Sequence, residues 1–187
     1  MSSDLIHEFI LSTWLDGYAY AAPVGIRVAR SGALKARIYR GGRLWKACAT
    51  CSAFVLNACL DPRPFILSIL DRSRLEFENS EMLALPALRD CEGYVECIKI
   101  GSVDRGHYLD LYLQPIHGVA RRLKPYTRAL GLGIELLIEL TRIWVGVRSC
   151  DEIKGFLEDA IDRMGRVWVS EYVEVLRREL ERACKPS

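Results

Sequence analysis

A chain of 187 residues has room for one domain, or one domain with an appendage, because single cores commonly serve about 100 to 200 residues. Half of the residues are hydrophobic and 27% are charged, which excludes a disordered chain too polar to bury a core. Lys and Arg total 26 against 24 Asp and Glu; so even a balance creates no global field that would draw nucleic acid or a membrane surface. Neither partner is expected, and any anion site must be local. Arg makes up 20 of the cations, which favours planar recognition of carboxylate or phosphate, although codon bias or a hot habitat gives the same skew.

The first residues, with Asp4, His7 and Glu8, do not read as a secretory signal. The most apolar segment, Leu130 to Ile143, is broken by Glu135, Glu139 and Arg142, short of the roughly 20 apolar residues of a membrane span. A cytoplasmic protein is expected. Seven Cys, an odd number scattered along the chain, read as reduced thiols packed in a core and not as a disulfide framework.

In chain order, Glu8 to Trp14 forms a strand, followed by Asp16-Gly17, a dipeptide suited to a tight hairpin. A second strand starts near Tyr20, where Ala22, Val24, Ile26 and Val28 alternate with Pro23, Gly25 and Arg27. One face is apolar and the other leaves backbone accessible until Arg27. After Ser31-Gly32, Leu34, Ala36 and Ile38 alternate with Lys35, Arg37 and Tyr39, and Gly41-Gly42 ends that strand. Arg43 to about Ser52 is helical, Ala53 to Leu60 is a strand, and Pro64 to Leu70 adds a helical turn or two. Asp71 to Asp90 gives no clear period. Gly93 to Val103 and His107 to Val119 form two longer strands around Asp104-Arg105-Gly106.

Beyond Pro125 the chain is helical. Leu130, Ile134, Leu137, Ile138 and Leu140 recur at helix spacing, with Glu139 and Arg142 as a supporting pair. Gly131 and Gly133 weaken this helix by about 1 kcal/mol each unless something packs closely there. A last helical region runs from Asp151, as N-cap, to Ala183, with Gly165 as a break and Glu174 placed to pair with Arg178. Its apolar stripe is Leu157, Ile161, Met164, Trp168, Tyr172 and Leu176. Strands first and helices last make an α+β protein, with six strands in a small antiparallel barrel.

Chemistry concentrates at one place: a strand, Gly41-Gly42, Arg43, then a helix bearing Lys46. Glycines let backbone N–H groups approach a phosphate, and a helix N-terminus favours an anion. An ordinary turn flanked by solvated cations has the same composition. Cys48 and Cys51 have the spacing of a redox motif but also of core packing. No second short-spaced pair supports a metal, and no nucleophile, base and orienting residue form a recognisable set, so catalytic residues are not assigned.

The residues Ala21-Ala22-Pro23-Val24-Gly25-Ile26, Tyr39-Arg40-Gly41-Gly42 and Asn57 to Asp61-Pro62 follow a familiar order. Thr127-Arg128, Ile134-Glu135 and Thr141-Arg142 continue it. The chain resembles a mainly archaeal family of FMN-binding split-barrel proteins related to flavin reductases and pyridoxamine phosphate oxidases. The resemblance implies a six-stranded split barrel over residues 1–125 with short crossover helices. It also implies a helical segment over 126–187, packed on the barrel or dimer, and a homodimer with FMN between subunits. By position, Pro23, Val24 and Gly25 would lie along the isoalloxazine ring. Tyr39, Gly41, Gly42, Arg43 and Lys46 would approach the phosphate, with Arg27 on the same face. Relatives usually read Tyr-x-Gly-Ser-x-Thr in the phosphate loop, and this chain has Gly42 and Leu44 at the hydroxyl positions. The functional expectation is an FMN-dependent oxidoreductase of open substrate. Its first alternative is a barrel that has lost flavin and serves as an interaction module; a binder of another phosphorylated ligand or of nucleic acid is the second.

Overall fold

The computed structural model describes residues 5–122, 128–167 and 171–184. Its first 120 residues hold β1 (His7–Leu15), β2 (Tyr18–Val28), β3 (Leu34–Tyr39), α1 (Arg43–Thr50), β4 (Ala53–Ala58) and α2 (Pro62–Leu70). After a 3₁₀ turn at Arg72–Arg74 come β5 (Phe77–Asn79), β6 (Pro86–Leu88), β7 (Gly93–Asp104) and β8 (Tyr108–Ala120). Six strands close an antiparallel barrel in the order β1-β2-β3-β8-β7-β4, while β5 and β6 form a separate two-stranded sheet. This is the α+β barrel expected, with two short strands added in the stretch that showed no period.

Local chemistry explains the closures. Asp16 and Gly17 both have positive φ (54° and 81°), the conformation a two-residue hairpin needs to match strand twist. At the β7–β8 turn the Gly106 N–H donates to Asp104 Oδ1 at 2.7 Å. Alternation sends Leu11, Val24, Ile26, Ile38, Phe54, Leu56, Leu109, Leu111 and Leu113 into the barrel. Helix α1 lies over Leu15, Tyr20 and Ala22 through Ala47, and Lys99 Nζ holds its C-terminal carbonyls at Cys48 (2.8 Å) and Ala49 (3.2 Å).

The aperiodic stretch is ordered by polar anchors. Buried Glu96 accepts from Ser80 Oγ (2.5 Å), Leu83 N–H (2.7 Å) and Met82 N–H (3.1 Å). Buried Asn57 donates to the Ile10 carbonyl and Ser12 Oγ, both at 2.8 Å, and accepts from Leu88 N–H at 2.7 Å. A segment whose order rests on distant carboxylate and amide groups leaves no periodicity to read.

The chain divides into two compact units, one of residues 1–60 with 67–124, the other of 61–66 with 125–187. The second contains α3 (Arg128–Trp144), α4 (Cys150–Val167) and α5 (Glu171–Ala183). Leu136, Leu137 and Leu140 are buried on α3, Leu157, Ile161 and Met164 on α4, and Leu176 on α5. Gly133 is tightly packed: a Cβ there would lie 3.0 Å from Pro62 and 3.2 Å from Met164 Cε. Gly165 does not break the helix, since α4 runs on to Val167. The α4 N-terminus is held by Ser149 and not by Asp151, through a reciprocal pair in which Ser149 N–H donates to Glu152 and Glu152 N–H to Ser149 Oγ. Glu139 pairs with Arg142 as expected, whereas Glu174 pairs with Arg177 at 3.6 Å and gives only its carbonyl to Arg178. Thr127, Trp168 and the side chains of Arg128, Leu130 and Tyr172 lie outside the described residues.

The expectation of reduced thiols is corrected. Cys59 is bonded to Cys91 and Cys150 to Cys184, while Cys48, Cys51 and Cys97 are free. The partners are 32 and 34 residues apart, so sequence spacing could not pair them. Among the described residues no helix is long and apolar enough to cross a membrane.

Candidate functional site

The ladder between β2 and β3 is short. Along one edge β2 is in register with β1 from Ile26 opposite His7 to Tyr18 opposite Leu15. Along the other it meets β3 only at Ile26/Ala36, Arg27/Lys35 and Val28/Leu34. Beyond Ala36, β3 stays on β8, ending with Tyr39 opposite Tyr108, and β2 from Tyr18 to Gly25 is left without a β3 pair. Pro23 lies in this unpaired stretch, as expected of a residue with no N–H to give a ladder. Inward Val24 is buried in the core, so only its main chain is available there.

A cavity of about 220 Å³ opens beside this seam, floored by Gly25, Ile6 and Glu8 and walled by Arg27, Lys35, Arg37 and Tyr39. A Cβ at Gly25 would fall 2.8 Å from Ile6 Cγ2, so the absence of a side chain makes room for that contact. Tyr39 is 69% exposed. The Arg37 guanidinium stands 4.3 Å above the Tyr108 ring, and Lys35 Nζ lies 3.0 Å from Asp110 Oδ2. Asp110 is only 3% exposed and also meets Arg105 Nε at 3.4 Å. Burial works to raise the Asp110 pKa, but the Lys35 hydrogen bond and charge, helped by Arg105, hold it below the ordinary carboxylate value. Three cations wall the cavity and Glu8 brings a carboxylate to its floor; with Lys35 held by Asp110, Arg27 and Arg37 are the charges placed to meet an anion.

The glycine loop lies at the end of β3. Gly41 and Gly42 have φ of 94° and 85°, and Gly42 is the N-cap of α1, with no side-chain cap and no acid in the first turn. The first amides of the helix therefore have no side-chain acceptor at the cap. Arg40 anchors the loop: Nε donates to the Gly106 carbonyl at 2.6 Å, Nη2 to Asp104 at 2.7 Å, and the guanidinium covers Trp45 at 4.6 Å. Arg43 turns over the Tyr20 ring at 5.4 Å. Arg72 meets the same ring at 5.4 Å and donates from Nε to the Ala21 carbonyl at 3.1 Å. Burial raises the Tyr20 pKa against the opposing fields of Arg72 and Arg43.

The nine residues singled out in the sequence thus fall into groups. Gly25, Arg27 and Tyr39 line the cavity, and Pro23 and Val24 belong to the open edge. Gly41 and Gly42 form the loop; Arg43 faces Tyr20. Lys46 is engaged with Asp16, whose two carboxylate oxygens are 2.7 and 2.9 Å from Nζ. Lys35, Arg37 and Arg72 were missed. The first two were legible as outward cations alternating with Tyr39, but Arg72 sits in the aperiodic stretch. The Cys48 thiol is pushed up to about 12 by burial, far from the thiolate that disulfide exchange needs. Among the described residues no three His, Cys, Asp or Glu side chains are grouped to hold a metal.

A family model described as the N-terminal domain of a protein of unknown function, DUF447, matches residues 7–122. No curated protein matches the chain. Among solved structures, an FMN-bound DUF447 protein from Methanosarcina mazei is similar with a TM-score of 0.75 at 19% identity, covering 95% of this chain and 94% of that one. The flavin reductase HpaC, complexed with NADP+, gives 0.58 at 16% identity over 64% of this chain and 81% of its own. Component B of nitrilotriacetate monooxygenase from Mycobacterium thermoresistibile gives 0.55 at 14% identity, over 64% and 72%. At these identities the likeness establishes a shared fold.

Proposed function

The chain belongs to the DUF447 family, and from that premise and the geometry of the open seam we propose that it is an FMN-binding flavoprotein, with oxidoreductase activity on a substrate still to be found. The observation that carries this reading is the unpaired edge of β2 beside a cavity walled by Arg27, Lys35 and Arg37. The FMN-bound relative from Methanosarcina mazei supports the choice of ligand.

The residues present fit such a cofactor. Arg27, Lys35 and Arg37 with Tyr39 would hold its phosphate, and Gly41-Gly42 would border it with main chain alone. The stretch Pro23-Val24-Gly25 would offer unpaired main-chain groups to the ring. When bound, FMN supplies reversible electron transfer. The chain's own part is to hold the anion, present a backbone edge and keep water from one side with apolar strand residues. A homodimer is part of this proposal: the cavity is small and open, and Ile98, Ile100, Val103 and Ile116 expose apolar surface on β7 and β8 for a partner to cover.

Titration of FMN and riboflavin into purified protein tests the reading. FMN is expected to bind saturably and more tightly than riboflavin. Arg37→Ala is expected to weaken FMN about 10- to 100-fold, the equivalent of one charge-assisted hydrogen bond, and to leave riboflavin unchanged. Absence of FMN binding at tens of micromolar, with the circular dichroism of a folded protein, overturns it and favours the interaction module.

A further inference from the structure

We propose that the Cys150–Cys184 bond is a thiol–disulfide exchange site, reached through a cavity between α4 and α5 and reduced by a neutral or cationic dithiol. The inference lies wholly within the helical unit and does not depend on the flavin reading.

The two disulfides differ in what surrounds them. Cys59 and Cys91 are 6% and 0% exposed, so that bond is sealed. Cys150 and Cys184 are half-buried, and both line a cavity of about 460 Å³. Exchange requires a thiolate to reach a disulfide sulfur, so a reachable bond is labile where a sealed one resists. Leu157, Ile161 and Leu180 give the cavity an apolar floor, suited to the hydrocarbon part of a small dithiol. Asp151, Glu158, Asp162 and Glu181 stand around it with Lys154 and Arg177, and Arg177 is engaged by Glu174 at 3.6 Å. This excess of acids repels an anionic reagent and selects one that carries no carboxylate.

The bond also sits where opening it has a mechanical effect. Cys150 begins α4 and Cys184 follows α5, donating its N–H to the Leu180 carbonyl at 2.9 Å. The disulfide therefore ties the start of one helix to the end of the other. Helix α5 has 13 residues, a length at which an isolated helix is marginal in water. Val173, Leu176 and Leu180 bury its apolar face, while Glu174–Arg177 and Glu179–Arg182 pair within the helix itself. Opening the bond loosens the last turn of α5.

The reaction balances with the dithiol as the only reductant. Its first thiolate attacks one sulfur of the pair, forming a mixed disulfide and releasing the other cysteine as a thiolate. The second thiolate then attacks the reagent's own bonded sulfur, closing the reagent into a cyclic disulfide and releasing the second cysteine. Two electrons and two protons pass from the dithiol to Cys150 and Cys184.

The probes are dihydrolipoamide and dihydrolipoate, the same dithiol without and with a carboxylate. The full chain is treated without denaturant, quenched by alkylation, and its cysteine peptides are assigned by mass. Cys150 and Cys184 are expected to become alkylated while Cys59–Cys91 stays bonded. Dihydrolipoamide is expected to react about threefold faster or more at low salt, a difference that shrinks as salt is added. Glu158→Gln with Glu181→Gln, both exposed positions, should narrow the same difference. Amide exchange in the last turn of α5 should quicken on reduction while the barrel is unchanged. A Cys150–Cys184 bond that resists until the protein unfolds, or two disulfides that open at one rate, would show a structural staple only and overturn the proposal. Equal rates for the two reagents at low salt would remove the cavity as the route and overturn it as well.

Discussion

Two seams of the same barrel are built to opposite ends. Between β4 and β7, register is unbroken from Ala53 opposite Ile98 to Ala58 opposite Gly93, and the Cys59–Cys91 bond continues the seam just past its end. Gly93 is pressed against the β8 backbone, with a hypothetical Cβ only 2.4 Å from the Val119 carbonyl oxygen. Between β2 and β3, pairing stops after Ile26/Ala36, Gly25 is overlain by the Cγ2 methyl of the exposed Ile6 side chain, and cations line the gap. The first seam spends its residues on closure and the second leaves main chain and charge accessible. Relaxing part of one ladder exposes polar main-chain groups that a fully paired ladder consumes.

Substitutions can break this contrast at several depths. The largest effect is expected on the closed seam: Cys59→Ser with Cys91→Ser should cost about 2–4 kcal/mol of stability by chemical denaturation. An unchanged midpoint would mean that the β4–β7 ladder suffices alone. Next, Gly93→Ala should destabilise by about 1–3 kcal/mol, since backbone must yield to the new methyl. Gly25→Ala should stay within about 1 kcal/mol, because Ile6 can turn away. Equal losses at the two glycines would erase the distinction between the seams. The smallest effect is a pH dependence at the open seam. The folded pKa of Asp110 is depressed, so its contribution is complete above the unfolded value of 3.8 and is lost as pH falls through the folded one. Asp110→Asn should therefore flatten the acid limb of the stability curve; an unaltered limb would place the acid sensitivity elsewhere.

How legible these features were depends on the distance over which each is determined. The strand faces and the Asp16-Gly17 hairpin follow from alternation and local φ, and these were readable. Six strands with compact turns already suited a small antiparallel barrel, and the family resemblance agreed with it. The segment from Asp71 to Asp90 resisted because its order comes from Glu96 and Asn57, contributed by other strands. Arg72 was hidden for the same reason. The two disulfides join residues more than 30 positions apart, and nothing local marks a cysteine as paired. Arg37 is a different case: its outward position was readable, but not that β3 would leave β2 and turn that face into a wall.

Gly42 closes off a route of sequence drift. Its backbone, at φ 85° and ψ 176°, occupies a region open essentially to glycine alone. A serine introduced there could not keep this conformation and would have to reshape the start of α1. Whatever this position offers at the start of α1 is therefore main-chain chemistry.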